Sequence, residues 1–233
     1  MSFELSAKSG GNFTEAPPAG NHAAVLVALV DLGTQEIPPF KGVGAITWKR
    51  QVYLAWELVT EQIGGSVQGA NHVIARAFAV GAGGTLHPKS TLRQYIEKWR
   101  NEEMRENEKI NLSSFLGKSC FLSIVQKTSE NDNVYARIDG LSAVPKDPAT
   151  NKPMKIPEPR HMLFCWSMGD GEPPTLDWLP YLLGKPVADV IKRSKELSGT
   201  VPLAKPKDNT SGRTLEAPHV PDYAQEGGDN IPF

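Results

Sequence analysis

The stretch STLRQYIEKWRNEEMR, residues 90–105, decides the fold, because it is a helical pattern set between two groups of strands. Four large apolar side chains recur along it at helical spacing: Leu92, Tyr95, Ile96 and Trp99. Such spacing predicts one buried stripe on an otherwise polar helix. Ser90 stands where an N-cap residue is expected. We therefore expect an amphipathic helix here that packs against a sheet through this stripe.

Five strand patterns flank this helix, three before it and two after it. They cover residues 22–37, 50–59, 71–80, 120–126 and 133–144. Three strands, a helix and two strands is the element order of the OB-fold, a five-stranded Greek-key barrel with a helix between strands three and four. We expect a mainly β protein with this barrel, followed by a C-terminal extension and a disordered acidic tail. The pattern alone leaves other small barrels open.

Composition divides the chain into four parts. These are a flexible Gly/Pro/Ser-rich arm (1–21), the barrel domain (22–146), an accessory extension with short helices (147–197) and a disordered tail with an acidic tip (198–233). Residues 145–160 are rich in Pro and Lys and indicate a linker. The extension has three large apolar side chains through which it would pack on the barrel: Trp166, Trp178 and Leu182.

Composition and cysteine content indicate the cellular compartment in which the protein works. The chain has 233 residues and a formal net charge of −1, so the protein as a whole is neither basic nor acidic. Its two cysteines, Cys120 and Cys165, lie in apolar runs and are predicted to be buried free thiols. No apolar run approaches the length of a membrane span, and the first residues lack a signal-peptide pattern. We expect a cytoplasmic protein in a reducing environment, without membrane partners.

No pattern in the sequence points to catalysis. The five histidines have no metal-ligand spacing to another His, Cys or carboxylate. A nucleophile elbow, a phosphate loop and a dinucleotide fingerprint are all missing. The glycines of GAGG, residues 81–84, are more typical of a flexible loop. We therefore expect a protein that is not an enzyme and that needs no cofactor or metal.

Basic and aromatic side chains are interleaved around the second and third strands, as single-stranded nucleic acid requires for phosphates and bases. The candidate DNA contacts are Lys41, Trp48, Lys49, Arg50, Tyr53, Arg76, Phe78 and Lys89. Alternation on the second strand places Trp56 with Val52 and Leu54 in the core and leaves Tyr53 on the other face as the stacking candidate. The alternative for the cations is a solvated strand edge or helix face.

Four segments together resemble phage-encoded OB-fold proteins that bind single-stranded DNA in phage replication. The segments are RQVYLAWEL, KSTLRQYIEKWR, SSFLGKSCFLSIV and NVYARIDGLSAVPK, and the resemblance runs from about Arg50 to Lys146. It implies the OB-fold, single-strand binding and the cytoplasm of a bacterial host. It does not identify the contact residues, so the candidates above remain inferences from alternation.

The chain ends in GGDNIPF, residues 227–233, after a tail that is first basic and then acidic. This ending resembles the acidic tip of bacterial single-stranded DNA-binding proteins, Asp-Asp-Asp-Ile-Pro-Phe. Asp229, Ile231, Pro232 and Phe233 match in place, whereas Gly228 and Asn230 depart. A terminal ring and carboxylate suit an apolar pocket with a basic rim. The resemblance implies a protein-interaction tip, residues 229–233 with Asn230 included, for replication, recombination or repair proteins of host or phage.

These observations predict a protein that coats and protects single strands in phage DNA replication or recombination, without strong sequence preference, and recruits partners through its tip. Two alternatives remain open at this point. One is a recombination mediator or strand-annealing protein that uses the same surface. The other is a protein-interaction adaptor without nucleic-acid binding. A homo-oligomer is also compatible with the exposed strand edges of such a sheet.

Overall fold

A computed structural model of the protein describes residues 16–39, 44–63, 70–81, 84–129, 132 and 134–198. Within these ranges the strands are β1 (Gly20–Ile37), β2 (Thr47–Gln62), β3 (Asn71–Val80), β4 (Ser119–Thr128), β5 (Val134–Ser142) and β6 (Phe164–Trp166). The helices are α1 (Thr91–Arg100) and α2 (Val187–Lys192), and a short 3₁₀ helix, Leu112–Phe115, precedes β4. The protein is mainly β, and the predicted order of three strands, a helix and two strands is present.

Strand β1 is the centre of the sheet. On one side, β2 pairs antiparallel with residues 24–37 of β1. On its other side β4 pairs antiparallel with residues 20–25, and β6 pairs parallel with residues 28–30. The full order is β3-β2-β1-β4-β5, with β6 beside β1. A continuous apolar run such as AAVLVALV, residues 23–30, is typical of a strand that is buried on both faces, and β1 is such a strand.

The first face of the sheet packs against α1 and forms what we call the inner cluster. Its rings include Trp56 and Trp99, whose centroids lie 6.2 Å apart, and Phe78 and Tyr95, at 5.2 Å. The predicted helical stripe lies in this cluster, because Leu92, Tyr95, Ile96 and Trp99 are all buried. The amphipathic pattern of the helix thus supplies one side of the core.

Helix α1 begins as predicted and ends earlier than predicted. The Oγ atom of Ser90 accepts a hydrogen bond from the Arg93 N–H at 3.4 Å, which makes Ser90 the N-cap. Asn101 adopts a left-handed conformation with φ of 54° and its N–H caps the last turn. Asn tolerates this conformation better than most residues, so the helix stops at Arg100 rather than at residue 105.

The second face is covered by the extension and forms the outer cluster. A bulge between Leu26 and Ala28 redirects β1, so that Leu26 lies in the inner cluster and Ala28 in the outer one. The extension packs on this face through Trp166 and Leu182, with Trp178 against its edge. These are the three side chains through which the sequence predicted its packing.

A buried carboxylate anchors the extension to the sheet. Glu57 of β2 is fully buried and accepts hydrogen bonds from the backbone N–H groups of Arg160 at 2.8 Å and His161 at 2.9 Å. Its oxygens also accept from Nδ1 of His161 at 2.8 Å and from Nδ2 of Asn71. Burial alone would raise the pKa of Glu57, but these hydrogen bonds outweigh it and hold the pKa below its usual value.

The sheet is open, in contrast to the closed barrel that the sequence predicted. Strands β3 and β5 are its two ends, and no backbone ladder joins them in the described residues. The Arg76 side chain lies in the gap: its Nη1 atom donates to the hydroxyl of Tyr95 at 2.9 Å and to the carbonyl of Ile138 at 3.2 Å. A side chain from β3 therefore bridges to β5 where a closed barrel would have strand pairing.

Two expected boundaries differ from the structure. β1 begins at Gly20, inside the segment expected to be a flexible arm. The expected linker at 145–160 contains a hydrogen-bonded turn, in which the Asp147 N–H donates to the Lys152 carbonyl and the Asn151 N–H to the Asp147 carbonyl, both at 2.8 Å. In the described residues no helix is long and apolar enough to cross a membrane.

Candidate nucleic-acid interface

The far end of the β1–β2 hairpin brings three predicted contacts together. Trp48, Lys49 and Arg50 are consecutive in β2, and Trp48 is 47% exposed. In the register with β1, Trp48 lies opposite Glu36 and Arg50 opposite Thr34. Because side chains alternate along a strand, Trp48 and Arg50 share one face of β2 and Lys49 lies on the other. The hairpin end therefore offers an exposed ring beside a cation.

Arg50 is paired with a carboxylate on the neighbouring strand. Its Nη2 atom donates to Oδ2 of Asp31, and the Asp31 side chain is only 12% exposed while that of Arg50 is 50% exposed. This hydrogen bond and the charge of Asp31 raise the pKa of Arg50 above its usual value. Oδ1 of Asp31 accepts the Gly33 N–H at 3.0 Å, which fixes the carboxylate.

A second carboxylate acts on the same guanidinium. Glu196, from the end of the extension, accepts the N–H of Thr34 at 2.8 Å and its hydroxyl at 2.7 Å. Burial alone would raise the pKa of Glu196, but the hydrogen bonds from Thr34 and the charge of Arg50 hold it below its usual value. Arg50 is therefore paired with one carboxylate and influenced by the charge of a second.

An open groove of about 480 Å³ lies beside this pair; we call it the Arg50 groove. Its apolar lining comes from Leu29, Val52, Val80 and Leu112. Its polar lining comes from Asp31, Arg50, Cys165 and Ser167. The volume falls in the range of about 300–1,000 Å³ that is typical of small-ligand sites. The lining of the groove thus combines apolar side chains with a paired carboxylate and guanidinium.

Two predicted stacking rings are buried, and this corrects the expectation for them. Tyr53 has no exposed surface, its hydroxyl donates to the Pro180 carbonyl at 2.7 Å, and burial raises its pKa. Phe78 is 3% exposed and lies in the inner cluster. Alternation had assigned Tyr53 to the face opposite Trp56, and that assignment holds. The extension covers Tyr53 on this second face, and α1 covers Phe78 on the first face, so neither ring is at a surface where a base can stack.

The remaining candidates are spread out. Arg76 is half-buried, its guanidinium lies 5.4 Å from the ring centroid of Phe78, and its Nη1 atom is used inside the protein as described above. Lys89 is exposed in the loop before α1 and does not line the Arg50 groove. Lys41 and the tip lie outside the described residues, the tip comprising Asp229, Asn230, Ile231, Pro232 and Phe233.

Sequence reasoning missed three polar residues of the groove: Asp31, Cys165 and Ser167. A carboxylate directly after an apolar run, as in ALVD at residues 28–31, was a signal for Asp31. Cys120 is buried as predicted, but Cys165 is exposed, which corrects the prediction of a buried thiol. Cys165 and Ser167 flank Trp166 in β6 and come to the groove only because β6 pairs with β1, and a strand of three residues leaves little trace in sequence.

Comparison with known protein families finds no family model that matches the chain, and comparison with curated proteins finds no similar sequence.

Proposed function

We propose that this protein binds single-stranded DNA, coats it without strong sequence preference during phage DNA replication or recombination, and recruits partner proteins through its C-terminal tip. The observation that carries the proposal is the end of the β1–β2 hairpin. There the half-exposed ring of Trp48 shares one face of β2 with Arg50, and Lys49, the next residue, adds a cation on the opposite face of the same strand end. A ring for bases next to a cation for phosphates is the combination that single-strand binding uses.

The order of the strands supports an OB-like topology, although the sheet is open. The order β3-β2-β1-β4-β5, with α1 between β3 and β4 in the chain, agrees with the element order of that fold. In this open sheet the ends are linked by a side chain, because Arg76 of β3 donates to the Ile138 carbonyl of β5. The loop between strands one and two is one of the regions where OB-folds bind oligonucleotides, and Trp48 lies next to that loop.

The second support is the C-terminal sequence. GGDNIPF, residues 227–233, shares Asp229, Ile231, Pro232 and Phe233 with the tip of bacterial single-stranded DNA-binding proteins. From Thr214 to the end the chain carries acidic residues and no Lys or Arg. Such a segment is repelled by DNA phosphates and stays accessible to partners. The chain thus combines a candidate DNA-binding surface at the β1–β2 hairpin with a separate candidate partner-binding tip at residues 229–233.

The test is a titration of a labelled poly-dT oligomer, followed by fluorescence anisotropy at about 50 and 200 mM salt. We expect binding by the full chain that weakens with salt, because phosphate contacts release counterions. A chain that lacks residues 229–233 should still bind. Absence of salt-sensitive binding by both forms would refute the proposal and favour a protein-interaction adaptor.

The variant Trp48→Ala locates the site. Loss of one stacked base removes about 1–3 kcal/mol, so we expect affinity about 5- to 150-fold weaker. The matched control is Tyr181→Ala, which removes another exposed ring, 63% exposed, in the extension. Equal losses in both variants, or no loss in Trp48→Ala, would show that the hairpin end does not hold the strand.

A further inference from the structure

The charges around the Arg50 groove exclude a simple phosphate site. The guanidinium of Arg50 already donates a hydrogen bond to the Asp31 carboxylate and also interacts with the charge of Glu196. A phosphate brought to this point would compete with Asp31 for the guanidinium and would meet repulsion from that carboxylate, whose side chain is only 12% exposed. A neutral ligand does not meet this repulsion.

The shape and chemistry of the groove suit the edge and the face of a nucleobase. Leu29, Val52 and Val80 provide apolar surface for the face of a ring. Among the polar lining, the Asp31 carboxylate offers hydrogen-bond acceptors, while Arg50 is half-exposed and has donors beyond the one given to Asp31. A carboxylate beside a guanidinium can pair with a donor and a neighbouring acceptor on one base edge.

The carboxylate distinguishes among bases. Cytosine carries an amino donor at the position where thymine carries a carbonyl oxygen. With Asp31 at this position and Arg50 at the adjacent ring nitrogen, cytosine pairs with both groups, whereas thymine sets its carbonyl oxygen against the carboxylate and its ring N–H against the guanidinium. Both are pyrimidines of similar size, so stacking against the apolar walls contributes nearly the same binding free energy for each.

We propose that the Arg50 groove takes up one base of the bound strand and reads its exocyclic amino group through Asp31. The groove then favours cytosine over thymine, while the rest of the strand is held without sequence preference. This inference rests on the proposed single-strand binding and assigns to Asp31 and Arg50 the selection of a base rather than the holding of a phosphate. It predicts a modest composition preference in a protein that otherwise tolerates any sequence.

The experiment is a competition in which unlabelled poly-dC or poly-dT displaces a labelled poly-dT oligomer from the full chain. We expect poly-dC to compete at least about five-fold better, the low end of what one specific base contact contributes. An oligomer of 2-pyrimidinone deoxynucleotides, which lacks the amino group, should compete less well than poly-dC. This arm uses only the unmodified protein and is independent of the folding of any variant.

The variant Asp31→Asn tests the residue itself. An amide can donate to the thymine carbonyl and no longer neutralises Arg50, so we expect the cytosine preference to disappear and poly-dT binding to gain a steeper salt dependence. The matched control is Asp189→Asn, which removes the same charge from an exposed position on α2 and should leave the preference unchanged.

The outcomes separate the two proposals. Equal competition by poly-dC and poly-dT against the full chain, with binding present, overturns the base-reading groove and leaves single-strand binding intact. A cytosine preference that persists in Asp31→Asn also overturns it, because the amino group would then be read elsewhere. Absence of binding to either homopolymer overturns both.

Discussion

The substitution Glu57→Ala removes the buried carboxylate that anchors the extension to β2. Four donors lose their acceptor: the N–H groups of Arg160 and His161, Nδ1 of His161 and Nδ2 of Asn71. Each unpaired donor destabilises the fold by about 1 kcal/mol or more. The sum agrees with the ~3–5 kcal/mol that is lost when one side of a buried ionic cluster is removed.

Urea unfolding followed by tryptophan fluorescence measures this loss. In a separate thermal melt, each kcal/mol lost lowers the midpoint of a chain of this size by ~2–4 °C, so the midpoint should fall by about 6–20 °C. The backbone N–H groups of Arg160 and His161 should also exchange with deuterium faster, because their acceptor is gone. Glu106→Ala, at an exposed position, is the matched control and should unfold like the unmodified chain within about 0.5 kcal/mol.

A loss of less than about 1 kcal/mol for Glu57→Ala, with unchanged exchange at Arg160 and His161, would refute the reasoning. It would mean that the extension is held by the outer cluster alone and that the carboxylate is paired no better than it would be in water. A large loss without faster exchange at these two amides would place the defect in the sheet instead.

Two further predictions concern the same face of the sheet. Tyr53→Phe removes the hydroxyl that donates to the Pro180 carbonyl at 2.7 Å, and we expect urea unfolding to show a loss of about 1 kcal/mol. Acid should also destabilise the protein: because the folded-state pKa of Glu57 lies below its usual value of 4.5, its contribution is complete above that value and is lost as the pH falls through the lower folded-state pKa. Unfolding midpoints at successively lower pH measure this, and Glu57→Gln should flatten that part of the profile.

Each of these two predictions has its own control. Tyr181→Phe removes a hydroxyl from a ring that is 63% exposed and should leave the unfolding midpoint unchanged. If it lowers the midpoint as much as Tyr53→Phe, the hydrogen bond to Pro180 is not the cause. If Glu57→Gln keeps the full acid sensitivity of the unmodified chain, other carboxylates carry the pH dependence.

The sequence predicted local structure well where its apolar residues follow one clear periodicity, either helical or alternating. The helical spacing of Leu92, Tyr95, Ile96 and Trp99 identified the buried stripe of α1, and alternation in β2 separated Tyr53 from Trp56. The end of the helix was missed because residues 102–105, mostly charged, suit a helix as well as the residues before them. The helix ends at Arg100 because Asn101 adopts a left-handed conformation and caps it.

The candidate site was predicted only in part, because alternation tells which side chains share a face but not what covers that face. Tyr53 is on the face where the sequence placed it, and a segment more than a hundred positions later in the chain buries it through Pro180. The pairing of Arg50 with Asp31 was missed for a related reason: the two residues meet through strand register, and the register includes a shift between Asp31 and Gly33 that no periodicity reveals.

Under the proposed function, the extension determines which surface a strand of DNA would use. In OB-folds the face of strands two and three is a usual binding surface, together with the loops at its edge. Here Tyr53 and Ala55 of β2 lie under Leu179, Val187 and Ile191, so that face is part of the core. Among the described residues of the sheet, the hairpin end beyond the extension keeps the exposed ring of Trp48 close to the cations of β2 and to the open Arg50 groove. β6 of the extension pairs with β1 and itself lines that groove, so residues 147–197 both close one surface and complete the other.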